Sequence, residues 1–359
     1  MNLFTPLSVG AMELPNRLVM APLTRMRADL FGVPTDIMVD YYRQRASLGL
    51  IVSEGIYPSF TGQGNTRMPG LVTDAHVAGW KRVTDAVHEA GGRIVAQLMH
   101  SGRVAHENVN GGRQPVAPSA IALSGEAHTY DGKQPYPVPH ALTEAELPGV
   151  AREFASAATN AMKAGFDGVE LHGANGYLLQ EFLSPVSNTR TDSYGGSPEN
   201  RARFVLEAFH AVVEAVGAER TGIRISPEHN IQDVLETDRE DVLATYTALV
   251  DGIAPLKPAY LSILHKDPAD DLVQELRRRF GRPVLLNTGF GVETTRDDAV
   301  MLLKEDLADA VVVGRPALAN PDLVRRWQEG AELNAPDYAT FYTDGAAGYT
   351  DYPELAPVS

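Results

Sequence analysis

The 359-residue chain has no cysteine. This absence excludes disulfides, thiolate zinc sites, iron–sulfur clusters and cysteine nucleophiles together, although it does not fix the compartment. No run of about 18 apolar residues occurs, the length needed to cross a bilayer. The opening MNLFTPLSVGAMELPNR carries no basic stretch ahead of an apolar one, so neither a signal peptide nor a membrane span is expected. Positive charge is in deficit: 31 Lys and Arg against 46 Asp and Glu leave a formal net charge of −15. Such a surface repels phosphate backbones and anionic lipid, so neither nucleic acid nor membrane is an expected partner. Neither G-x-x-x-x-G-K-[ST] nor G-x-G-x-x-G follows a strand, which leaves a P-loop or a Rossmann domain unsupported. Metal-binding histidine spacings are also missing, His100 and His106 being six apart. The pairs Asp270-Asp271 and Asp297-Asp298 read as helix N-terminal acids, so no metal is expected. A cytoplasmic protein is the expectation.

What is present is regular. Composition is that of an ordinary globular protein, 44% hydrophobic and 21% charged, and the chain is long enough to bury a large core. Short β-rich apolar runs at 17–23, 49–56, 92–98, 168–172, 222–226, 259–264, 283–286 and 310–314 alternate with longer amphipathic stretches. Near-continuous apolar runs suit parallel strands covered on both sides. One helix is expected from an acidic cap at Asp74 to a glycine pair at 91–92. Another opens at Thr143, three residues before Glu146 in a capping-box spacing, and closes at Gly165. Eight alternating units predict a single (β/α)8 TIM barrel domain over 1–359. Residues 111–142, after the third strand, and 173–200, after the fourth, are long excursions; loops of that size at strand ends are usually functional.

Several strand ends carry polar groups. The segment VELHGANGYLLQEFLSP places His172, Asn175 and Tyr177 just past the fourth strand. Two hydrogen-bond donors with a phenol beside them suit stabilisation and protonation of an enolate. Spacing alone favours the plainer reading of a strand cap, a turn and a core ring. Thr24, Gln97 and Arg224 end the first, third and fifth strands, and a hydroxyl, an amide and a guanidinium could bond the polar edge of an isoalloxazine. An arginine there would neutralise charge accumulating on the reduced ring. For any one of these residues alone, an ordinary strand terminus is the simpler reading. Glycines after the last two strands, Gly289 and Gly314, with Arg315 beside the latter, fall where barrels commonly hold a phosphate; Gly289 and Gly291 also suit plain turns.

Together these segments resemble the old yellow enzyme family from residue 3 to about 353. LFTPLSVG with LPNRLVMAPLTR is similar to that family's N-terminal β-hairpin and first strand. ELHGANGYLLQEFLSP with TRTDSYGGSPENRARF is a long and specific match, and FYTDGAAGYTDYP resembles the C-terminal segment. The resemblance implies tightly bound, non-covalent FMN, NAD(P)H as co-substrate and reduction of an activated alkene or nitro compound by a monomer or small homo-oligomer. It assigns Thr24 to flavin O4, Gln97 and Arg224 to the pyrimidine edge, and Gly289, Phe290, Gly314 and Arg315 to the phosphate. Pro22 and Gly55 complete the implied cofactor contacts. His172 and Asn175 match the pair that holds the substrate oxygen, Tyr177 the proton donor, and Tyr342 an aromatic wall of the substrate pocket. Met99 and Asn65 stand where relatives often carry aromatic residues, which implies a roomier, less rigid substrate pocket. Glu228 and His229 stand where relatives are often less charged. Reductive denitration of nitrate esters on the same flavin, or a flavin-binding redox sensor, are the alternatives. The larger dienoyl-CoA reductases are excluded, because they need cysteine-bound clusters.

Overall fold

The computed structural model describes residues 2–289 and 291–356. Eight parallel strands close into a barrel: β1 (Leu18–Met20), β2 (Leu50–Val52), β3 (Ile94–Leu98), β4 (Gly168–Gly173), β5 (Thr221–Ile225), β6 (Tyr260–Leu264), β7 (Val284–Asn287) and β8 (Ala310–Val313). Each pairs with its neighbours in sequence, and β8 pairs with β1. Every expected strand is present, trimmed to the residues that share ladder bonds. The period of two then sorts the side chains. Leu18, Met20, Ile51, Ile94 and Leu98 face outward into a core shared with the helices, which includes Trp80, Phe154 and Phe204. Val19, Val52, Val95, Leu285 and Val312 face the barrel axis.

The N-terminal hairpin pairs Leu7–Val9 with Met12–Leu14. Its Val9, Met12 and Leu14 join the axial cluster, so the hairpin stoppers the N-terminal end of the barrel. Each such side chain, fully buried, contributes about 1.5–3 kcal/mol. The Tyr260 ring fills the interior opposite Gly222, where an added Cβ would lie 2.6 Å from it. The large–small pairing fills the axis at that level, and the cavity opens at the C-terminal ends of the strands.

The helices between strands are α1 (Asp36–Gln44), α2 (Asp74–Glu89), α3 (Leu147–Lys163), α4 (Leu178–Leu183), α5 (Pro198–Val216), α6 (Arg239–Ile253), α7 (Asp271–Phe280), α8 (Arg296–Lys304), α9 (Arg315–Ala319) and α10 (Leu323–Glu329). Two ends differ from expectation. Thr73, not Asp74, caps α2, in a reciprocal box with His76. Helix α3 starts at Leu147, because Pro148 lacks an N–H and fits only in a first turn. The Glu146 carboxylate still reaches back to Thr143, accepting from its backbone N–H at 2.7 Å and its hydroxyl at 2.8 Å. Asp270 caps α7, and Asp297 and Asp298 lie in the first turn of α8, as expected of such acids. The excursion after β3 carries its own hairpin, Glu126–Thr129 with Gly132–Pro135.

Candidate active site

Above the apolar layers the barrel axis turns polar, as the strand register dictates. Gln97 pairs with Glu170 across β3 and β4, and His172 pairs with Arg224 across β4 and β5. Gln97 donates to Glu170 at 2.8 Å. Burial pushes the Glu170 carboxyl up, opposed by the Arg224 charge and the Gln97 amide. Burial lowers Arg224, with Glu170 opposing. Desolvation thus outweighs the attraction on both sides of the pair.

This layer floors a cavity of about 450 Å³. Pro22, Thr24, Gln97, Met99, His172, Asn175, Tyr177, Arg224, Gly289, Gly314, Arg315 and Tyr342 line it. Residues scattered over the sequence therefore converge on one space. Two others do not reach it. Gly55 lies behind the wall, where a Cβ would come within 2.7 Å of the Met99 sulfur. Asn65 belongs to the loop after β2, its carbonyl accepting from the Met68 amide at 3.3 Å. Of the two departures in the pocket wall, Met99 alone bears on the cavity, packed with Tyr57, Met68 and Tyr177. Phe290 lies outside the described residues. Glu228 and His229 do not line the cavity either, and the Glu228 carboxylate is paired with Arg239 at 2.7 Å. Arg239 also ion-pairs with Asp270, so its cation serves the Glu228, His265 and Asp270 cluster, whose ligand atoms lie within 4.8 Å of one another.

Local sequence explains how the strand-four segment presents its groups. Asn175 and Gly176 are both left-handed, φ 60 and 77, a conformation that asparagine tolerates and glycine adopts freely. The turn brings Tyr177 back over the strand end, its ring 5.3 Å from that of His172. Ser226 and Gln180 pin the turn: the Asn175 backbone N–H donates to the Ser226 hydroxyl at 2.9 Å and the Gly176 N–H to the Gln180 side-chain Oε1 at 2.8 Å. Burial holds the His172 ring well below the usual histidine range, with Arg224 adding to the effect, so the ring is a neutral donor. Burial raises the Tyr177 phenol, which stays protonated at neutral pH.

Sequence reasoning missed other parts of the wall. Ile231 and Gln232 enter from the loop after β5, Val292 to Thr294 from the loop after β7, and Phe341 from the C-terminal segment. That segment is gripped from behind by buried arginines. Arg25 donates to the carbonyls of Phe341 at 3.1 Å and Gly348 at 2.7 Å; Arg27 donates to those of Phe341 at 3.0 Å and Thr340 at 2.9 Å. Arg45 reaches the Tyr349 carbonyl at 3.3 Å, and Tyr349 stacks on Tyr41 at 4.0 Å. The R-M-R spacing in MAPLTRMR was the available signal, but its partners lie more than 300 residues away.

The site fits FMN. Arg224 is 2% exposed, and its buried Nε has no partner among the described residues. A buried N–H left without an acceptor is costly, and an electron-rich ring edge would satisfy it. Gly289, at φ +100, has no atom within 4 Å of an added Cβ, and Gly314 has none nearer than 3.8 Å. Their backbones are thus open to a bulky anion such as the phosphate.

The chain matches the NADH:flavin oxidoreductase / NADH oxidase family over residues 2–334. It is 45% identical over 362 residues to a probable flavin mononucleotide-dependent alkene reductase of Leishmania infantum, covering 97% of this chain and 96% of that one. Among solved structures it resembles an old yellow enzyme homologue of Zymomonas mobilis, with a TM-score of 0.94, 43% identity, and 99% and 100% of the two chains covered. It also resembles morphinone reductase in complex with tetrahydroNAD, with a TM-score of 0.93, 44% identity, and 99% and 98% covered. Barrel, cavity and sequence agree, and the chain belongs to the NADH:flavin oxidoreductase / NADH oxidase family, as an FMN-dependent oxidoreductase of the old yellow enzyme type.

Proposed function

We propose that this enzyme saturates the C=C bond of activated alkenes, with His172 and Asn175 holding the activating oxygen and Tyr177 protonating the α-carbon. The observation that carries this reading is the convergence of the three groups on the cavity floored by Arg224 and Gln97. When bound, FMN supplies the redox chemistry, taking hydride from NAD(P)H and delivering it to the alkene β-carbon. Thr24, Gln97 and Arg224 would hold its ring, and Gly289, Gly314 and Arg315 its phosphate. Two uncharged donors on the substrate oxygen stabilise the negative charge that builds there during addition. The buried Nδ1 of His172 and Oδ1 of Asn175 lack partners among the described residues, which leaves both side chains free to reorient toward a ligand. Tyr177 then gives its hydroxyl proton to the α-carbon, and the phenolate regains a proton from solvent. Met99, a flexible thioether, suits substrates of varied shape.

A panel of enones, maleimides, nitroalkenes and an organic nitrate, run with NADH and with NADPH, tests the reading. Alkene saturation without nitrite release is expected to dominate. Nitrite release from the organic nitrate with no turnover of any alkene would overturn it.

A further inference from the structure

The loop after β5 is held in an unfavourable conformation at the cavity wall. Glu228, Gln232 and Asp233 are all left-handed, at φ 59, 55 and 54. Side chains with a Cβ avoid that region, so strain of this kind points from structure toward function. Several contacts impose it. The Asp233 carboxylate accepts from the Ser124 amide at 2.7 Å and its hydroxyl at 2.9 Å. Arg103 donates to the carbonyls of Gln232 and Asp233 at 3.2 and 3.0 Å. The Glu228 amide donates to Glu236 at 2.9 Å, and the Glu236 amide to the Asn230 side chain at 2.7 Å.

The effect is to drive one amide side chain, Gln232, against the strand-four turn. Its Nε2 donates to the Asn175 carbonyl at 2.8 Å. Gly176 must be small there, since an added Cβ would lie 2.7 Å from the Gln232 Cβ and 2.8 Å from the Ile231 carbonyl. The Gln232 Oε1 is buried with no partner among the described residues, on a side chain that lines the same cavity as Tyr177. A buried acceptor left unpaired is unfavourable unless a ligand or a mobile donor uses it.

We propose that Gln232 is a positioning residue for the proton donor: its amide ties the Asn175 carbonyl on one side and orients the Tyr177 hydroxyl on the other. The inference rests on Tyr177 being the proton donor. The Gln232 Nε2 carries two hydrogens: one goes to the Asn175 carbonyl, and the other is available to the Tyr177 oxygen, leaving the phenol proton to point at the substrate. As that proton leaves for the α-carbon, the same N–H stabilises the developing phenolate. Gln232 is also the one neighbour that opposes burial in setting the acidity of that phenol, while Tyr136 and Tyr342 add to burial. The same side chain therefore couples the turn that carries Asn175 to the group that carries the proton.

The test uses holoenzyme with Gln232→Met, which keeps length and removes both polar atoms, and Gln232→Glu as a second, isosteric variant should the first fail to fold. Rapid mixing separates flavin reduction by NAD(P)H from flavin oxidation by an enone. The expected result is an alkene step slowed about tenfold, less than the roughly 10²–10⁴-fold that the general acid itself contributes, with flavin reduction unchanged. The alkaline fall of the alkene step should move to higher pH, since a group that favours the phenolate has been removed. On a Tyr177→Phe background the substitution should add nothing further, as groups acting as a unit are non-additive. Equal slowing of both steps, an unmoved alkaline limb, or full additivity with Tyr177→Phe overturns the inference. The two readings fail differently. If Tyr177→Phe itself leaves the alkene step intact, the proton-donor assignment falls; if it slows that step while Gln232→Met does not, only the positioning role falls.

Discussion

Replacing Tyr177 by phenylalanine removes one oxygen from the cavity and nothing from its packing. The ring keeps its contacts with the Met99 cluster and its edge near His172, so the fold loses at most one weak hydrogen bond, about 1 kcal/mol. For a chain of this length the melting temperature should fall by less than about 4 °C. The catalytic loss is expected to be far larger. A positioned general acid contributes about 10²–10⁴-fold, equivalent to about 3–5 kcal/mol of barrier. The loss should appear in one half-reaction, because hydride transfer from NAD(P)H to the flavin requires no proton from Tyr177. Stopped-flow traces at the flavin absorbance would show reduction at the parent rate and reoxidation by an enone at 1% of it or less. Equal losses in both half-reactions, or an unaltered reoxidation, would refute the reasoning.

Three further outcomes follow from the geometry. His172→Ala with Asn175→Ala should abolish the long-wavelength charge-transfer band that phenols produce with the oxidised flavin, and an unchanged phenol titration would remove both residues from the oxygen site. Gly55→Ala sets a Cβ against the Met99 thioether, so overpacking of about 1–3 kcal/mol is expected, with a raised KM for bulky alkenes that Met99→Ala reverses; an unaltered KM would show that Met99 has room to move. The pH dependence of stability should follow Glu181, whose carboxyl burial pushes up to about 8, consistent with its unpartnered buried Oε2. A carboxyl raised in the folded state contributes stability that is full below the unfolded value near 4.5 and is lost as pH rises toward 8. Glu181→Gln should therefore match the parent in urea titrations at pH 5 and exceed it at pH 8, whereas equal curves at both values would contradict the burial argument.

Much of this architecture was readable from residues alone, for a physical reason. All eight barrel strands are buried on both faces, so each is an apolar run that its own sequence reveals. The polar residues at their C-terminal ends, Gln97, His172 and Arg224, stand out against that background. What escaped notice depends on contacts distant in sequence. Nothing near Gln232 announces that a strained loop delivers its amide to Asn175, since Ser124 and Arg103 hold that loop from the distant stretch of chain after β3. Likeness of motif sets Asn65 and Gly55 on the cavity, yet the path of the loop after β2 carries one away and tucks the other behind Met99. The start of α3 shifted because Pro148 outweighs a capping pattern that remains chemically formed.

The arginine grip on the C-terminal segment has a consequence for how such an enzyme can change. Arg25, Arg27 and Arg45 seize carbonyl oxygens, which every amino acid possesses, and two of them also lie over the Phe341 and Tyr349 rings. Away from those two rings, the route of the segment is separated from its spelling. Positions such as Tyr342, which lines the cavity, are free to drift among residue types while the wall stays where it was, so new pocket shapes can be tried without rebuilding the scaffold that offers them.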